Sequence, residues 1–274
     1  MRINCKGKLI DLTQPKIMGI LNTTPDSFFF GSRSQNLDDT LKIVEKMLNE
    51  GADFIDIGGV STRPGAAEVS EEEELKRVVP MIEIILKEFP ETLISIDTYR
   101  AKVAKETVDA GAAIINDISA GNLDENLLKT VTELKVPYVL MHMQGTPKTM
   151  QKNPVYENVT IEVNQFLSDK IRILKELGMN DIILDPGFGF GKTVEHNYEL
   201  LNNLDLIGFG EFPVLAGVSR KSMITRLLNI PADEALNGTT VLNTIALQKG
   251  AKILRVHDVK EAKETTKIWE MIKP

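Results

Sequence analysis

From Pro15 onward, short apolar runs alternate with longer stretches in which apolar residues recur at helical spacing. The short runs are Ile17–Leu21, Phe54–Ile57, Leu93–Ile96, Ala113–Ile115, Tyr138–Met141, Ile182–Leu184, Val214–Ala216 and Ile253–Leu254. Each is too short for a helix and apolar at nearly every position, as strands of a parallel sheet covered on both faces are. Between them, Glu71–Phe89 sets Leu75, Val78, Ile82, Ile85 and Phe89 on one stripe. Ser70 is placed as its N-cap, with Glu73 completing a capping box. Asn164–Leu177 repeats Phe166, Leu167, Ile171, Leu174 and Leu177 before Gly178, and the last helix aligns Val259, Ala262, Thr266 and Trp269, the Trp as a packing residue. Residues 2–13 alternate weakly about Gly7 and predict a small hairpin. Eight strand–helix units without an intervening linker predict one (β/α)8 barrel, a TIM barrel, over residues 1–274, preceded by a short N-terminal β-hairpin.

The length agrees, because a barrel of this type needs about 250 residues. A net charge of −7 argues against nonspecific nucleic-acid or membrane binding, so any anionic substrate requires a local basic cluster. Cys5 is the only cysteine, which excludes an intrachain disulfide and suits a reducing compartment. Neither an apolar signal segment nor a bilayer-length apolar run is visible, and a cytoplasmic soluble protein is expected.

In a barrel the active site lies where the strands end. Those ends read Asn22; Gly58-Gly59 with Thr62-Arg63; Asp97; Asn116-Asp117; His142; Asp185; Ser219-Arg220-Lys221; and Arg255 with His257. Asp97 could instead cap the helix that begins at Ala101. Asp97, Asn116 and Asp185 supply the acceptors and amide that an aminopyrimidinone edge needs. Arg63, Arg220, Lys221, Arg255 and His257 supply the basic cluster, suited to a multiply charged phosphate. The stretch Asp185-Pro-Gly-Phe-Gly-Phe-Gly-Lys192 puts an acid beside aromatic faces in a tight turn. It is not a phosphate-binding loop, since Pro186 stands where the first glycine must be, and its glycine spacing is not the dinucleotide fingerprint. The three histidines lie on separate elements, which disfavours zinc, and no Ser-His-Asp or Cys nucleophile can be picked out.

Seven motifs spread over nearly the whole chain resemble dihydropteroate synthases: Gly19-Ile-Leu-Asn22-Thr-Thr-Pro-Asp26-Ser-Phe28, Asp56-Ile-Gly-Gly-Val-Ser-Thr62-Arg63-Pro64-Gly65, Ser95-Ile-Asp97-Thr98, Asn116-Asp-Ile118, Leu184-Asp185-Pro-Gly-Phe-Gly-Phe190, Gly217-Val-Ser-Arg220-Lys221-Ser222 and Arg255-Val-His257-Asp258. The resemblance implies a homodimeric barrel of folate synthesis that joins 6-hydroxymethyl-7,8-dihydropterin diphosphate to 4-aminobenzoate and releases diphosphate. It implies a pterin grip of Asp97, Asn116, Asp185 and Lys221, lined by Ile118, Met141, Phe190 and Gly217. Asn22, Thr62, Arg63, Arg255 and His257 would take the diphosphate, Asn22 also as a ligand of Mg2+, with Asp97, Lys221 and Arg255 nearest the chemistry. Phe28, Pro64 and Ser222 would border the aminobenzoate pocket. After Phe28 the chain departs from the family's usual Ser-Asp-Gly-Gly turn with Phe29-Phe30-Gly31. A corrinoid methyltransferase domain and a catalytically silent pterin binder are the alternatives. The first has no use for the basic cluster.

Overall fold

The structure, a computed structural model, describes residues 1–22, 33–60 and 69–272. The N-terminal alternation forms an antiparallel hairpin, β1 (Arg2–Cys5) with β2 (Lys8–Asp11), turning at Lys6 and Gly7. Eight strands then pair side by side in parallel: β3 (Lys16–Asn22), β4 (Phe54–Gly58), β5 (Ile94–Asp97), β6 (Ile114–Asp117), β7 (Tyr138–Met141), β8 (Ile182–Asp185), β9 (Leu215–Ala216) and β10 (Ile253–Val256). Their order is β8-β7-β6-β5-β4-β3-β10-β9. A bridge between Leu184 and Val214 joins the two ends of that row, with the Leu184 N–H donating to the Pro213 carbonyl at 2.8 Å. This is the (β/α)8 barrel expected, with its hairpin. Several strands run one or two residues beyond the apolar runs, because closing residues such as Asp97 and Asp185 still pair in the ladders.

The outer layer is built from α1 (Arg33–Glu50), α2 (Glu71–Glu88), α3 (Ala101–Asp109), α4 (Leu127–Leu134), α5 (Val159–Glu176), α6 (Val194–Asn202), α7 (Ser222–Leu228), α8 (Leu236–Gln248) and α9 (Val259–Ile272). Only half of the capping box on α2 forms. Ser70 Oγ accepts from the Glu73 N–H at 3.2 Å, but the Glu73 carboxylate turns to Arg77 at 3.0 Å. Helix α5 starts five residues before its apolar stripe suggested, where Asn158 accepts from the Ile161 N–H at 2.9 Å. No described helix is long and apolar enough to cross a membrane.

Successive side chains of a strand point to opposite faces, and here the two faces have different neighbours. Outward residues such as Ile55, Ile57, Ile96, Leu140 and Leu254 pack against the helices. Inward residues form a second cluster of Met18, Phe54, Ile114, Val139, Ile183, Leu215 and Ile253, and Ile3, Cys5 and Leu12 from the hairpin segment close its floor. Two residues further along each strand is the next inward position. Asp56 follows Phe54, Asn116 follows Ile114, Met141 follows Val139, Asp185 follows Ile183, Gly217 follows Leu215 and Arg255 follows Ile253; all six face one cavity. The apolar layer is thus the platform on which the polar layer stands.

Phe54 is fully buried at the centre of that platform. Phe54→Ala should cost about 3–5 kcal/mol of stability by leaving a void under Asp56. Denaturant titration measures it, and a loss below about 1 kcal/mol would mean the layer collapses to fill the gap.

Candidate active site

The cavity at the strands' C-terminal ends has a volume of about 450 Å3. Its lining includes Asp97, Asn116, Ile118, Met141, Asp185, Phe190, Gly217, Lys221, Ser222, Arg255 and His257, so eleven expected site residues meet at one place. Thr62, Arg63, Pro64 and Phe28 lie outside the described residues, as does the altered Phe29-Phe30-Gly31 stretch. Asn22 ends β3, its backbone in register with Gly58 at the cavity's rim.

Asp185 is delivered by β8 and is 4 % exposed. Its Oδ1 accepts from the Gly187 N–H at 2.7 Å, which sets the turn that follows. That turn requires glycine, since Gly187 has φ +72° and an added Cβ would lie 1.9 Å from the His142 carbonyl oxygen. Burial raises the Asp185 carboxyl above its ordinary range, opposed chiefly by Lys221. Lys221 projects from the start of α7, donates to the Phe188 carbonyl and places its Nζ 4.8 Å from the centre of the Phe190 ring. Burial and then Arg255 depress its ammonium to about 8, against the pull of Asp185 and Asp97.

Arg255 reaches across the barrel from β10. Its Nε donates to Asp56 Oδ2 at 2.7 Å, and its Nη2 lies 2.6 Å from that oxygen and 3.0 Å from Asp97 Oδ2. The Asn116 amide donates to the same Asp56 oxygen at 3.2 Å. Asp97 does not cap α3. Arg100 occupies the N-cap position without a side-chain bond, and the Ala101 N–H is taken by Asp124 at 2.7 Å. Burial pushes the Asp97 carboxyl up to about 7, against the lowering effect of Arg255.

Two other expected residues are engaged elsewhere. Arg220 lines the cavity, but its guanidinium grips Asp258 at 2.5 and 3.0 Å, which neutralises much of its charge. Asp117 faces away from the cavity and accepts from Tyr138 Oη at 2.6 Å and from the Ser119 and Gly121 N–H groups at 2.7 Å. His257 Nδ1 lies 3.0 Å from Ser219 Oγ, and that oxygen accepts from the His257 N–H at 3.2 Å.

Asp56 was not among the expected site residues, although it holds both Arg255 and Asn116. The available signal was a carboxylate inside an otherwise apolar strand, which is rarely buried unless paired. Lys192 and His142 were also unassigned. Both are buried, with Lys192 Nζ 2.9 Å from His142 Nδ1. Among the described residues, no three or more His, Cys, Asp or Glu side chains are grouped to hold a metal ion.

A family model described as "Pterin binding enzyme" matches residues 18–257. The chain is 49 % identical to a dihydropteroate synthase of Haemophilus influenzae over 98 % of both chains. It is 47 % identical to that of Escherichia coli K12, covering 98 % of this chain and 96 % of the relative. A crystal structure of Yersinia pestis dihydropteroate synthase in complex with a sulfonamide drug superposes with a TM-score of 0.92 at 46 % identity, covering 99 % of this chain and 98 % of that one. Xanthomonas albilineans dihydropteroate synthase with 4-aminobenzoic acid does so at 0.91 and 38 %, covering 100 % and 99 %. The chain therefore belongs to the pterin-binding enzymes. Within that class, the relatives named above are dihydropteroate synthases, transferases of folate biosynthesis.

Because the folded-state pKa of Asp97 is raised, the folded protein holds that proton more tightly than the unfolded chain does. The contribution to stability is full below the ordinary carboxyl pKa and is lost as pH rises through about 7. The unliganded protein should therefore lose stability between pH 5 and 8 by on the order of 1 kcal/mol more than Asp97→Asn does. Parallel melting profiles for the two proteins would refute this.

Proposed function

We propose that this chain condenses 6-hydroxymethyl-7,8-dihydropterin diphosphate with 4-aminobenzoate, yielding 7,8-dihydropteroate and diphosphate. The supporting observation is that one 450 Å3 cavity is lined both by acceptors (Asp97, Asn116, Asp185) and by basic side chains (Lys221, Arg255, His257). A flat aminopyrimidinone with N–H donors suits the acceptors, and a phosphate leaving group suits Arg255 and His257.

In this reading Asp185 accepts from the pterin's ring N–H and exocyclic amine. Asn116 and Lys221 contact the ring's remaining polar edge, and Met141, Ile118 and Phe190 enclose its faces. The methylene C–O bond breaks with its electron pair leaving on diphosphate. The arylamine lone pair then forms the C–N bond, and the amine proton passes to solvent. Positive charge developing on the pterin methylene is met by Asp97. Arg255 and His257 take negative charge from the departing oxygens, together with Thr62 and Arg63.

Magnesium fits this mouth only as a shared ion. Asn22 offers one neutral oxygen, while Asp56 and Asp97 each give their Oδ2 to Arg255. Asn22 would hold it together with diphosphate oxygens and water, where it would supply positive charge to the leaving group. A cytoplasmic homodimer is part of the same proposal. Exposed Leu227, Leu228 and Val241 on α7 and α8 are its support, and sedimentation at the 30.5 kDa mass of one chain would remove it.

Diphosphate release should depend on both 4-aminobenzoate and magnesium. Release that proceeds equally without 4-aminobenzoate would overturn the proposal. Asp185→Asn keeps the side chain's shape and removes its charge, so calorimetry should show pterin binding weakened by about 1.5–3 kcal/mol. Unchanged affinity in the folded variant would remove Asp185 from the grip.

A further inference from the structure

The glycine-rich turn after β8 belongs to no strand or helix, yet every carbonyl oxygen from Gly187 to Gly191 accepts a side-chain hydrogen bond. Lys192 Nζ takes those of Gly187 and Phe190 at 2.9 and 3.2 Å, and Lys221 Nζ takes that of Phe188. From the loop after β7, Gln151 Nε2 takes Gly189 and Tyr156 Oη takes Gly191, each at 2.8 Å. A turn rich in glycine has much conformational freedom to lose, and these five anchors fix its shape.

Lys192 differs from the other donors. It is only 3 % exposed, and a third acceptor, His142 Nδ1, lies 2.9 Å from its Nζ. A lysine ammonium has three N–H donors, and three acceptors meet it here. Burial, with Lys192 as the second cause, drives His142 down to about 2, so the imidazole is neutral and its Nδ1 can accept. Burial also draws the Lys192 ammonium down to about 7, and Asp185 is the carboxylate that opposes this. Removing the ammonium would leave the Gly187 and Phe190 carbonyls and His142 Nδ1 without this donor in a buried place. The ammonium thus fixes the turn by satisfying it. With its donors committed inside the protein, Lys192 is not available to a phosphate.

We infer that the turn Gly187–Gly191 is held in its pterin-binding shape by side-chain donors to its carbonyls, with Lys192 as the positioning residue behind it. Three cavity features depend on that shape. Asp185 is oriented by the Gly187 N–H, Lys221 by the Phe188 carbonyl, and the Phe190 ring by a residue whose own carbonyl Lys192 holds. Lys192 touches no substrate; it acts through these groups.

The inference rests on the pterin reading of the cavity, and one calorimetric series separates the two. Wild-type protein titrated with 6-hydroxymethylpterin tests the reading itself, and failure to bind would dispose of both. If the wild type binds, Lys192→Met should weaken the pterin at least tenfold, about 1.4 kcal/mol. The KM for pterin diphosphate should rise in step, while that for 4-aminobenzoate stays within about threefold, under 1 kcal/mol. A merely structural lysine would lower Tm and leave pterin affinity of the folded protein alone. Pterin affinity within about twofold of wild type in folded Lys192→Met would overturn the inference. Should that variant not fold, Gln151→Ala and Tyr156→Phe decide, because they release outer carbonyls of the same turn. Weakening of about threefold or more at unchanged Tm supports the inference, and unchanged affinity overturns it.

Discussion

The site depends on one guanidinium shared by two carboxylates, Asp56 buried and Asp97 half-buried. Asp56 and Asp97 project from β4 and β5 into a cavity where an unpaired charge would be costly. Arg255 enters from β10, on the far side of β3, and contacts both within 3.0 Å. Its long, planar fork is what permits this; a lysine could offer charge but not two directed edges. Burial alone would lower the Arg255 pKa, yet Asp56 and then Asp97 carry it above its ordinary value. This bridge also fixes Asn116, which donates to the same Asp56 oxygen, so an amide and a guanidinium of the cavity are anchored on one carboxylate.

The second centre of order is the turn after β8, which presents groups to the cavity on one side and is tied from behind on the other. Asp185 and Lys221 meet over it, each shifting the other's protonation equilibrium toward the charged form. At the cavity and just behind it, Asp56, Asp97 and Asp185 stand against Arg255, Lys221 and Lys192. A site near neutrality before substrate arrives can accept a polar ring without a large change in local field.

The barrel was legible because its strands are apolar on both faces and end in polar residues. Which residue of a strand faces inward was not legible, since both faces are buried. Asn116 and Asp117 are neighbours of similar chemistry, and only the inward position of Ile114 on the same strand assigns Asn116 to the cavity and Asp117 to Tyr138. Asp56, inside an apolar run, carries no mark of its inward direction for the same reason. Lys192 attracted notice only as the lysine of a loop that the sequence does not form. Its partners come from 50 residues earlier and from the turn itself, a contact that local spacing does not reveal. Helix α5 begins early because its first turn is held by the Asn158 cap and not by a visible stripe. Thr62, Arg63, Pro64 and Phe28 rest on the family's motifs.

The Arg255 bridge spans 199 residues to Asp56 and 158 to Asp97. During synthesis, the two acids leave the ribosome long before the cation that balances them. Until β10 is made, a nascent barrel holding Asp56 and Asp97 in place would have to bury two carboxylates with their cation missing. Pairing of β10 with β3 and neutralisation of the two acids both wait for the same late strand, so the charge pattern that serves the site also ties its completion to the end of the barrel.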